Sequence, residues 1–128
     1  MEFINYVKFN AMKKLILLFA LVLPVALGAQ EKKNKNAKAN FEVSGNCEMC
    51  KMRIEKAALA VKGVKMANWD IPSNLISLIY DQNKAPLKTI QTEIAKVGHD
   101  TPIVKAENMV YDKLPMCCLY DRMPEQKN

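Results

Sequence analysis

Residues 41–63 read FEVSGNCEMCKMRIEKAALAVKG, and they join a strand pattern to a helix pattern. Apolar and polar residues alternate from Phe41 to Val43, which is typical of a short half-buried strand, and the Ser-Gly-Asn behind it predicts a turn. From about Glu48 apolar residues return every three or four positions, which predicts a helix with one buried face. The glycine that closes the stretch is placed to end that helix. Cys47 and Cys50 therefore fall at the junction of strand and helix.

The elements that follow complete a regular order. We expect two strands, a second helix and a last strand over 64–71, 75–80, 86–98 and 102–106. Pro72-Ser73-Asn74 predicts a hairpin turn between the first two, and a shift of apolar phase inside the first predicts a β-bulge. The order strand, helix, strand, strand, helix, strand is a repeated split βαβ unit. It predicts an α+β fold, a ferredoxin-like βαββαβ sandwich in which an antiparallel four-stranded sheet carries two helices on one face.

The N-terminal region has the pattern of an export signal. An apolar block over 15–29 follows Met12-Lys13-Lys14 and ends in small residues. A membrane-spanning helix needs roughly 17–25 apolar residues, and this block is shorter and interrupted by a proline and a glycine. We expect cleavage after Gly28 or Ala29, so that an extension ahead of Met12 and the signal together comprise 1–29. The expected product is an exported, soluble protein, periplasmic or secreted, with no stable membrane anchor.

Behind the signal, the chain is long enough for one small domain with a single core. Residues 30–40 are rich in lysine and lack apolar periodicity, and we interpret them as a solvated linker. The formal net charge is +6, but no aromatic residues are interleaved with these lysines and an exported chain seldom meets nucleic acid, so no nucleic-acid partner is expected. The domain is predicted over 41–106 and a tail over 107–128.

The two cysteines of the C-x-x-C segment indicate metal chemistry. Cys47 and Cys50 lie one helical turn apart at the start of the predicted helix, where backbone N–H groups favour thiolates. Thiolates are soft donors, which favour Cu(I) over hard cations such as Mg²⁺. Hg²⁺ and Cd²⁺ also accept thiolate pairs, whereas Zn²⁺ normally takes four ligands in a structural site. The pattern predicts a soft-metal site with Cu(I) as the first choice and these three ions as alternatives.

A family resemblance rests on three segments, Ser44–Cys50, Gly63-Val64 and Gly98-His99-Asp100. In the order of elements predicted above, they resemble the heavy-metal-associated domain of copper chaperones, mercury-binding periplasmic proteins and the N-terminal modules of metal-transporting P-type ATPases. The resemblance covers about 41–106. It implies the ferredoxin-like fold, a metal ion held by Cys47 and Cys50, and a partner that is a metal-transporting membrane protein or another metal-binding domain.

The resemblance also bears on single residues. It implies that the loop after the second helix lies beside the segment Ser44–Cys50, which we call the metal loop. There His99 would be a third ligand or a proton-sensitive modulator of metal release. The alternative is an ordinary surface histidine. The family usually places a methionine two residues before the first cysteine, whereas this chain has Gly45. Trp69 is interpreted as a core or sheet-face aromatic without a role in the site.

The tail adds a second pair of cysteines, Cys117 and Cys118, which as neighbours rarely bridge each other without strain. They could add sulfur ligands to the site, or form disulfides with Cys47 and Cys50, for which four cysteines permit three complete pairings. They could also simply pack a short apolar appendage. We favour a metal-related or redox role, because an exported protein has little reason to keep two idle thiols.

The sequence leaves three functions to compare. The first is a metal-binding module, not an enzyme, that captures, buffers or passes on a soft ion by exchange of thiolate ligands. The second is a thiol–disulfide oxidoreductase that uses the same C-x-x-C, although the order of elements is not that of a thioredoxin. The third is a secreted module held together by disulfides.

Overall fold

The computed structural model describes residues 2–22 and 33–124, which belong to two compact units divided after Lys32. In the first unit, helix α1 spans Glu2–Val22. Among the described residues, no helix combines the length and the apolarity that a bilayer crossing needs. The predicted cleavage positions after Gly28 and Ala29 lie outside the described residues.

The second unit is an antiparallel sheet packed against helices. Its elements in chain order are β1 Ala37–Glu42, α2 Glu48–Leu59, β2 Val64–Trp69, β3 Leu75–Tyr80, α3 Leu87–Lys96, α4 Asn108–Tyr111 and a 3₁₀ turn over Met116–Cys118. The strands lie in the order β1-β3-β2. The predicted α+β class with an antiparallel sheet is therefore confirmed. The two predicted helices are α2 and α3, and the predicted hairpin joins β2 to β3.

Two details of the strands concern register. β1 begins at Ala37, so residues 37–40, which we expected in the linker, pair with β3, from Ala37 opposite Tyr80 to Asn40 opposite Ser77. Their side chains alternate between the core and solvent, but alanine, lysine and asparagine give no apolar signal for a strand. The predicted bulge is confirmed, because the pairing of β2 with β3 shifts between Val64 and Met66.

The core of the second unit lies between one face of the sheet and the helices α2 and α3. Alternate residues of β3, from Ile76 to Tyr80, are buried on one face, and Leu78 between them is only 1% exposed. Ile54 of α2 and Ile94 of α3 are fully buried in the same cluster. The apolar stripes predicted for both helices therefore cover this face, and α2 brings the C-x-x-C segment to its edge.

The strand predicted over 102–106 is not formed in the described part of the chain. Thr101 and Val104 instead close a turn, in which the Thr101 hydroxyl donates to the Val104 carbonyl at 2.7 Å and accepts from the Val104 N–H at 3.1 Å. Pro102, between them, has no N–H for a ladder. One backbone bond, from Ser44 N–H to the Asp100 carbonyl at 3.0 Å, still places this segment beside the end of β1. The four-stranded sheet is therefore corrected to three strands plus a loop that adjoins the metal loop.

Candidate metal centre

The start of α2 places two thiols side by side. Cys47 occupies the N-cap position in extended conformation, and its carbonyl accepts the first helical hydrogen bond from Lys51 N–H at 3.0 Å. Cys50, one turn later, faces the core and is fully buried, whereas Cys47 is half-buried. Their sulfurs are 3.3 Å apart. The predicted pairing of these two thiols follows from the helix start alone.

The tail contributes a third sulfur. The 3₁₀ turn packs on α2 and buries Cys118 fully, with its Sγ 3.5 Å from that of Cys47. The sulfurs of Cys47, Cys50 and Cys118 all lie within 4.8 Å of one another. Cys117 is exposed, with its Sγ 4.0 Å from that of Cys118, and all four cysteines are free thiols. The folded tail thus brings Cys118 to the C-x-x-C pair and leaves Cys117 exposed beside it.

The thiols of Cys47 and Cys118 differ in acidity. Burial works to raise the pKa of Cys47, but hydrogen bonds to its sulfur from the Cys50 backbone N–H and from the thiols of Cys50 and Cys118 lower it to about 7. Burial raises the pKa of Cys118 far above its ordinary value, and its hydrogen bonds to Cys50 and Cys47 raise it further. In the metal-free protein Cys47 is therefore the first of the two to ionise. A cation that binds Cys118 must displace its proton.

The floor of the metal loop is an aromatic ring that the sequence interpretation left without a role. Trp69 is fully buried, and its Nε1–H donates to the carbonyls of Val43 at 3.0 Å and Asn74 at 3.1 Å. A Cβ added to Gly45 would lie 3.0 Å from Cη2 of Trp69 and 3.1 Å from Cβ of Cys50. The indole thus fills the space in front of Gly45. The signal in the sequence was a glycine where the family has methionine, together with the only tryptophan of the chain.

His99 lies under the tail and not on the surface. It is fully buried, its ring stacks on Tyr120 with centroids 5.7 Å apart, and its Nδ1 lies 2.9 Å from the Ser44 carbonyl. Because a carbonyl only accepts, Nδ1 carries the proton and Nε2 keeps a lone pair, which finds no hydrogen-bond partner among the described residues. Burial lowers the pKa of His99, and the charge of Arg53 lowers it further, against the opposing effects of Ser44 and Asp100. The alternative of a surface histidine is therefore wrong. Among the described residues, the cluster that could hold a metal ion consists of the three cysteines and does not include His99.

Comparisons with known proteins place this fold. No protein-family model matches the chain, and no curated protein matches it. The N-terminal domain of a potential copper-translocating P-type ATPase from Bacillus subtilis, solved in the Cu(I)-loaded state, aligns over 52% of this chain and 84% of its own at 25% identity, with a TM-score of 0.50. The structural neighbours of this domain are heavy-metal-associated domains.

Two further neighbours are a CopZ metallochaperone and oxidized MerP from Ralstonia metallidurans CH34. The first aligns over 51% of this chain and 98% of its own at 26% identity, with a TM-score of 0.49. The second aligns over 51% of this chain and 94% of its own at 19% identity, with a TM-score of 0.45. The alignment with the Cu(I)-loaded ATPase domain confirms, over about half of the chain, the resemblance drawn from the sequence.

Proposed function

We propose that this protein binds one soft metal ion, Cu(I) before Hg²⁺, Cd²⁺ or Zn²⁺, through the thiolates of Cys47, Cys50 and Cys118, and passes it on by thiolate exchange. The observation that carries the proposal is the convergence of three sulfurs within 4.8 Å from two distant parts of the chain. The Cu(I)-loaded state of one structural neighbour supports the choice of copper. The export signal predicted to begin at Met12 and to end at Gly28 or Ala29 supports a location outside the cytoplasm.

The spacing of the sulfurs favours three-fold coordination. With metal–sulfur bonds of about 2.3 Å, an ion in the plane of three sulfurs holds them about 4.0 Å apart, whereas two sulfurs in line with an ion are about 4.6 Å apart. The observed separations of Cys47 from Cys50 and from Cys118 are 3.3 and 3.5 Å. These two separations must therefore widen by about 0.7 and 0.5 Å for three thiolates to surround the ion in one plane. Zn²⁺ and Cd²⁺ would accept a fourth, for which Cys117 is the nearest thiol.

Transfer would begin at Cys47, because it is the only one of the three that solvent reaches. A thiolate of an acceptor approaches the ion at this side and forms a new metal–sulfur bond, and the bond from the ion to Cys47 then breaks. Neither the ion nor sulfur changes oxidation state, and the proton released by the incoming thiol returns to Cys47. The acceptor we propose is a metal-transporting membrane protein or another metal-binding domain.

The test is an anaerobic Cu(I) titration of the reduced protein against a competing chelator. Cys47→Ser and Cys50→Ser should each abolish tight binding, and Cys118→Ser should weaken it by about 10-fold, the lower end of the loss seen when outer-shell partners are removed. Cys117→Ser is the matched control and should leave the affinity within a few-fold. Equal Cu(I) affinity in the wild type and in a Cys47→Ser/Cys50→Ser double variant would refute the proposal.

One observation favours a second candidate, a thiol–disulfide oxidoreductase. The half-exposed Cys47, whose pKa is about 7, lies 3.3 Å from a thiol that could resolve a mixed disulfide. A disulfide-reductase assay with an excess of substrate separates the two functions. Catalytic turnover that disappears in Cys50→Ser would favour the oxidoreductase, whereas metal transfer requires only stoichiometric thiol chemistry.

A further inference from the structure

We propose that Arg122 is a positioning residue, which acts through Asp100 to hold Cys118 in the metal centre and thereby sets how many thiolates surround the ion. The inference rests on the proposed function, because it concerns the third ligand of the same site. It assigns the tail beyond the cysteines a part in the choice of ion.

The anchor is a buried carboxylate that gathers the end of the tail. Asp100 is fully buried, and Arg122 donates to both of its oxygens, from Nε at 2.7 Å and from Nη2 at 2.8 Å. The N–H groups of Ala106 and Met123 also donate to this carboxylate, at 2.9 and 3.2 Å. Paired, bidentate geometry of this kind fixes orientation as well as distance. Loss of the arginine would leave a buried charge without its counter-ion.

The guanidinium also binds the tail to itself. Arg122 Nη2 donates to the Ala106 carbonyl at 2.6 Å, Nη1 donates to Asn108 at 3.2 Å, and the group lies over the Tyr111 ring at 4.6 Å. Tyr111 in turn donates its hydroxyl to the Tyr120 carbonyl at 2.5 Å. The chain on both sides of the 3₁₀ turn is therefore tied to one charged group.

A second set of contacts connects this anchor to the metal loop. The Tyr120 hydroxyl donates to the Gly98 carbonyl at 2.6 Å and accepts from Asp100 N–H at 2.9 Å. The same loop reaches the chain just ahead of Cys47, because Ser44 bonds Asp100 through its N–H at 3.0 Å and His99 through its carbonyl at 2.9 Å. The metal loop and the tail are thus both attached to the loop that contains Asp100.

Near the sulfur itself the tail has fewer attachments. Met116, Cys117 and Leu119 are exposed, and outside the 3₁₀ turn the local polar link to the metal loop is the bond from Asn46 Nδ2 to the Leu119 carbonyl at 2.9 Å. Leu114 packs in the core ahead of the turn, and the polar anchors that hold Cys118 in place lie in the residues that follow it. With Arg122 in place the ion meets three thiolates, and without it the ion meets the two of the C-x-x-C segment.

The number of thiolates separates ions by class. The soft ions Cu(I) and Hg²⁺ accept linear coordination by two thiolates, whereas Cd²⁺ and Zn²⁺ prefer more ligands. Because removal of Arg122 would release Cys118, it should weaken Cd²⁺ binding by about 100-fold and Cu(I) binding by about 10-fold or less. A residue that served only the stability of the fold would weaken both ions alike.

The experiment uses the reduced full chain with Hg²⁺ and Cd²⁺ as probes, read by the ultraviolet charge-transfer bands that distinguish two-thiolate from three-thiolate mercury. The wild type and the control Lys113→Ala, which removes an exposed positive charge of the tail, should give the three-thiolate spectrum. Arg122→Ala should give the two-thiolate spectrum of Cys118→Ser. Adding Arg122→Ala to a Cys117→Ser/Cys118→Ser double variant should cause no further loss of Cd²⁺ affinity, because the tail then has no thiolate left to lose.

The outcomes separate the two proposals. If Cys118→Ser keeps the wild-type spectrum, the third ligand of the proposed function is wrong. If Cys118→Ser changes the spectrum but folded Arg122→Ala does not, the positioning role is overturned alone. Should Arg122→Ala fail to fold, Tyr120→Phe, which loses both hydroxyl bonds but keeps the ring, replaces it with the same expectation, and a retained three-thiolate spectrum again overturns the proposal.

Discussion

Gly45 and Trp69 provide a test of how the metal loop is packed. The substitution Gly45→Met introduces the residue that heavy-metal-associated domains usually have at this position, but its Cβ would already lie 3.0 Å from Cη2 of Trp69 and 3.1 Å from Cβ of Cys50. The rest of the side chain must enter the same space, and overpacking of this kind costs about 1–3 kcal/mol. We therefore expect Gly45→Met to lower the free energy of unfolding by that amount.

The partner change is Trp69→Phe, which removes the two indole atoms nearest to Gly45. It also removes the Nε1–H that donates to the carbonyls of Val43 and Asn74, and leaving such groups without a donor costs about 1–3 kcal/mol. With those ring atoms gone, the methionine has space. The double variant should consequently be more stable than the sum of the single changes indicates, by about 1–3 kcal/mol, which is the overpacking cost that is relieved.

The assay is urea unfolding of the reduced, metal-free protein for the wild type, both single variants and the double variant. Met109→Ala on the exposed side of α4 replaces Trp69→Phe in a control cycle, which should be additive. Additivity within about 0.5 kcal/mol in the Gly45 and Trp69 cycle would refute the reasoning that the two side chains occupy the same space.

Three further predictions concern ionisation in the metal-free protein. Because burial lowers the pKa of His99, the unfolded chain binds a proton more readily, so the free energy of unfolding should fall as the pH drops below about 6.5. His99→Gln, which removes the only histidine, should flatten that fall in urea titrations, and an unchanged slope would contradict the assignment. Because the pKa of Cys47 is lowered to about 7 from its ordinary 9.0, the free energy of unfolding should rise with pH between these values. Mass mapping should also find that iodoacetamide alkylates Cys47 before Cys118. Earlier labelling of Cys118 would contradict this prediction. The hydroxyl and N–H of Ser73 lower the pKa of Asp70 below 3.8, so Ser73→Ala should raise that pKa in an NMR titration. The variant should also lose less stability when the pH falls through the pKa of Asp70. An unchanged pKa would rule out the hydrogen bond from the Ser73 hydroxyl.

The local elements could be predicted because their causes are local. The helix from Glu48 follows from apolar spacing, the hairpin from Pro72-Ser73-Asn74, and the meeting of Cys47 with Cys50 from one helical turn. The bulge followed from a change of parity in β2. None of these requires knowledge of the rest of the chain.

The features that were missed depend on distant partners. β1 extends back to Ala37 because β3 offers an unpaired edge, not because its own residues favour a strand. The segment after His99 forgoes a strand because Thr101 satisfies the backbone of Val104 with its side chain, and because Asp100 takes the Ala106 N–H. Side-chain hydrogen bonds of this kind replace a ladder without any periodic trace in the sequence.

The third sulfur shows the same limit and gives it a functional meaning. Cys118 is separated from Cys47 by 71 positions, so only the folded tail can bring the two together. Under the proposed function, an ion that binds three thiolates has a higher affinity for the protein with a docked tail than for the protein with a free tail. By linkage, the bound ion stabilises the docked tail by the same factor by which docking raises the metal affinity. Because Asp100 and Arg122 dock the tail before any ion arrives, little ordering remains to oppose binding. Under the proposed function, the C-x-x-C segment supplies two ligands by sequence, and the folded tail supplies the third by tertiary structure.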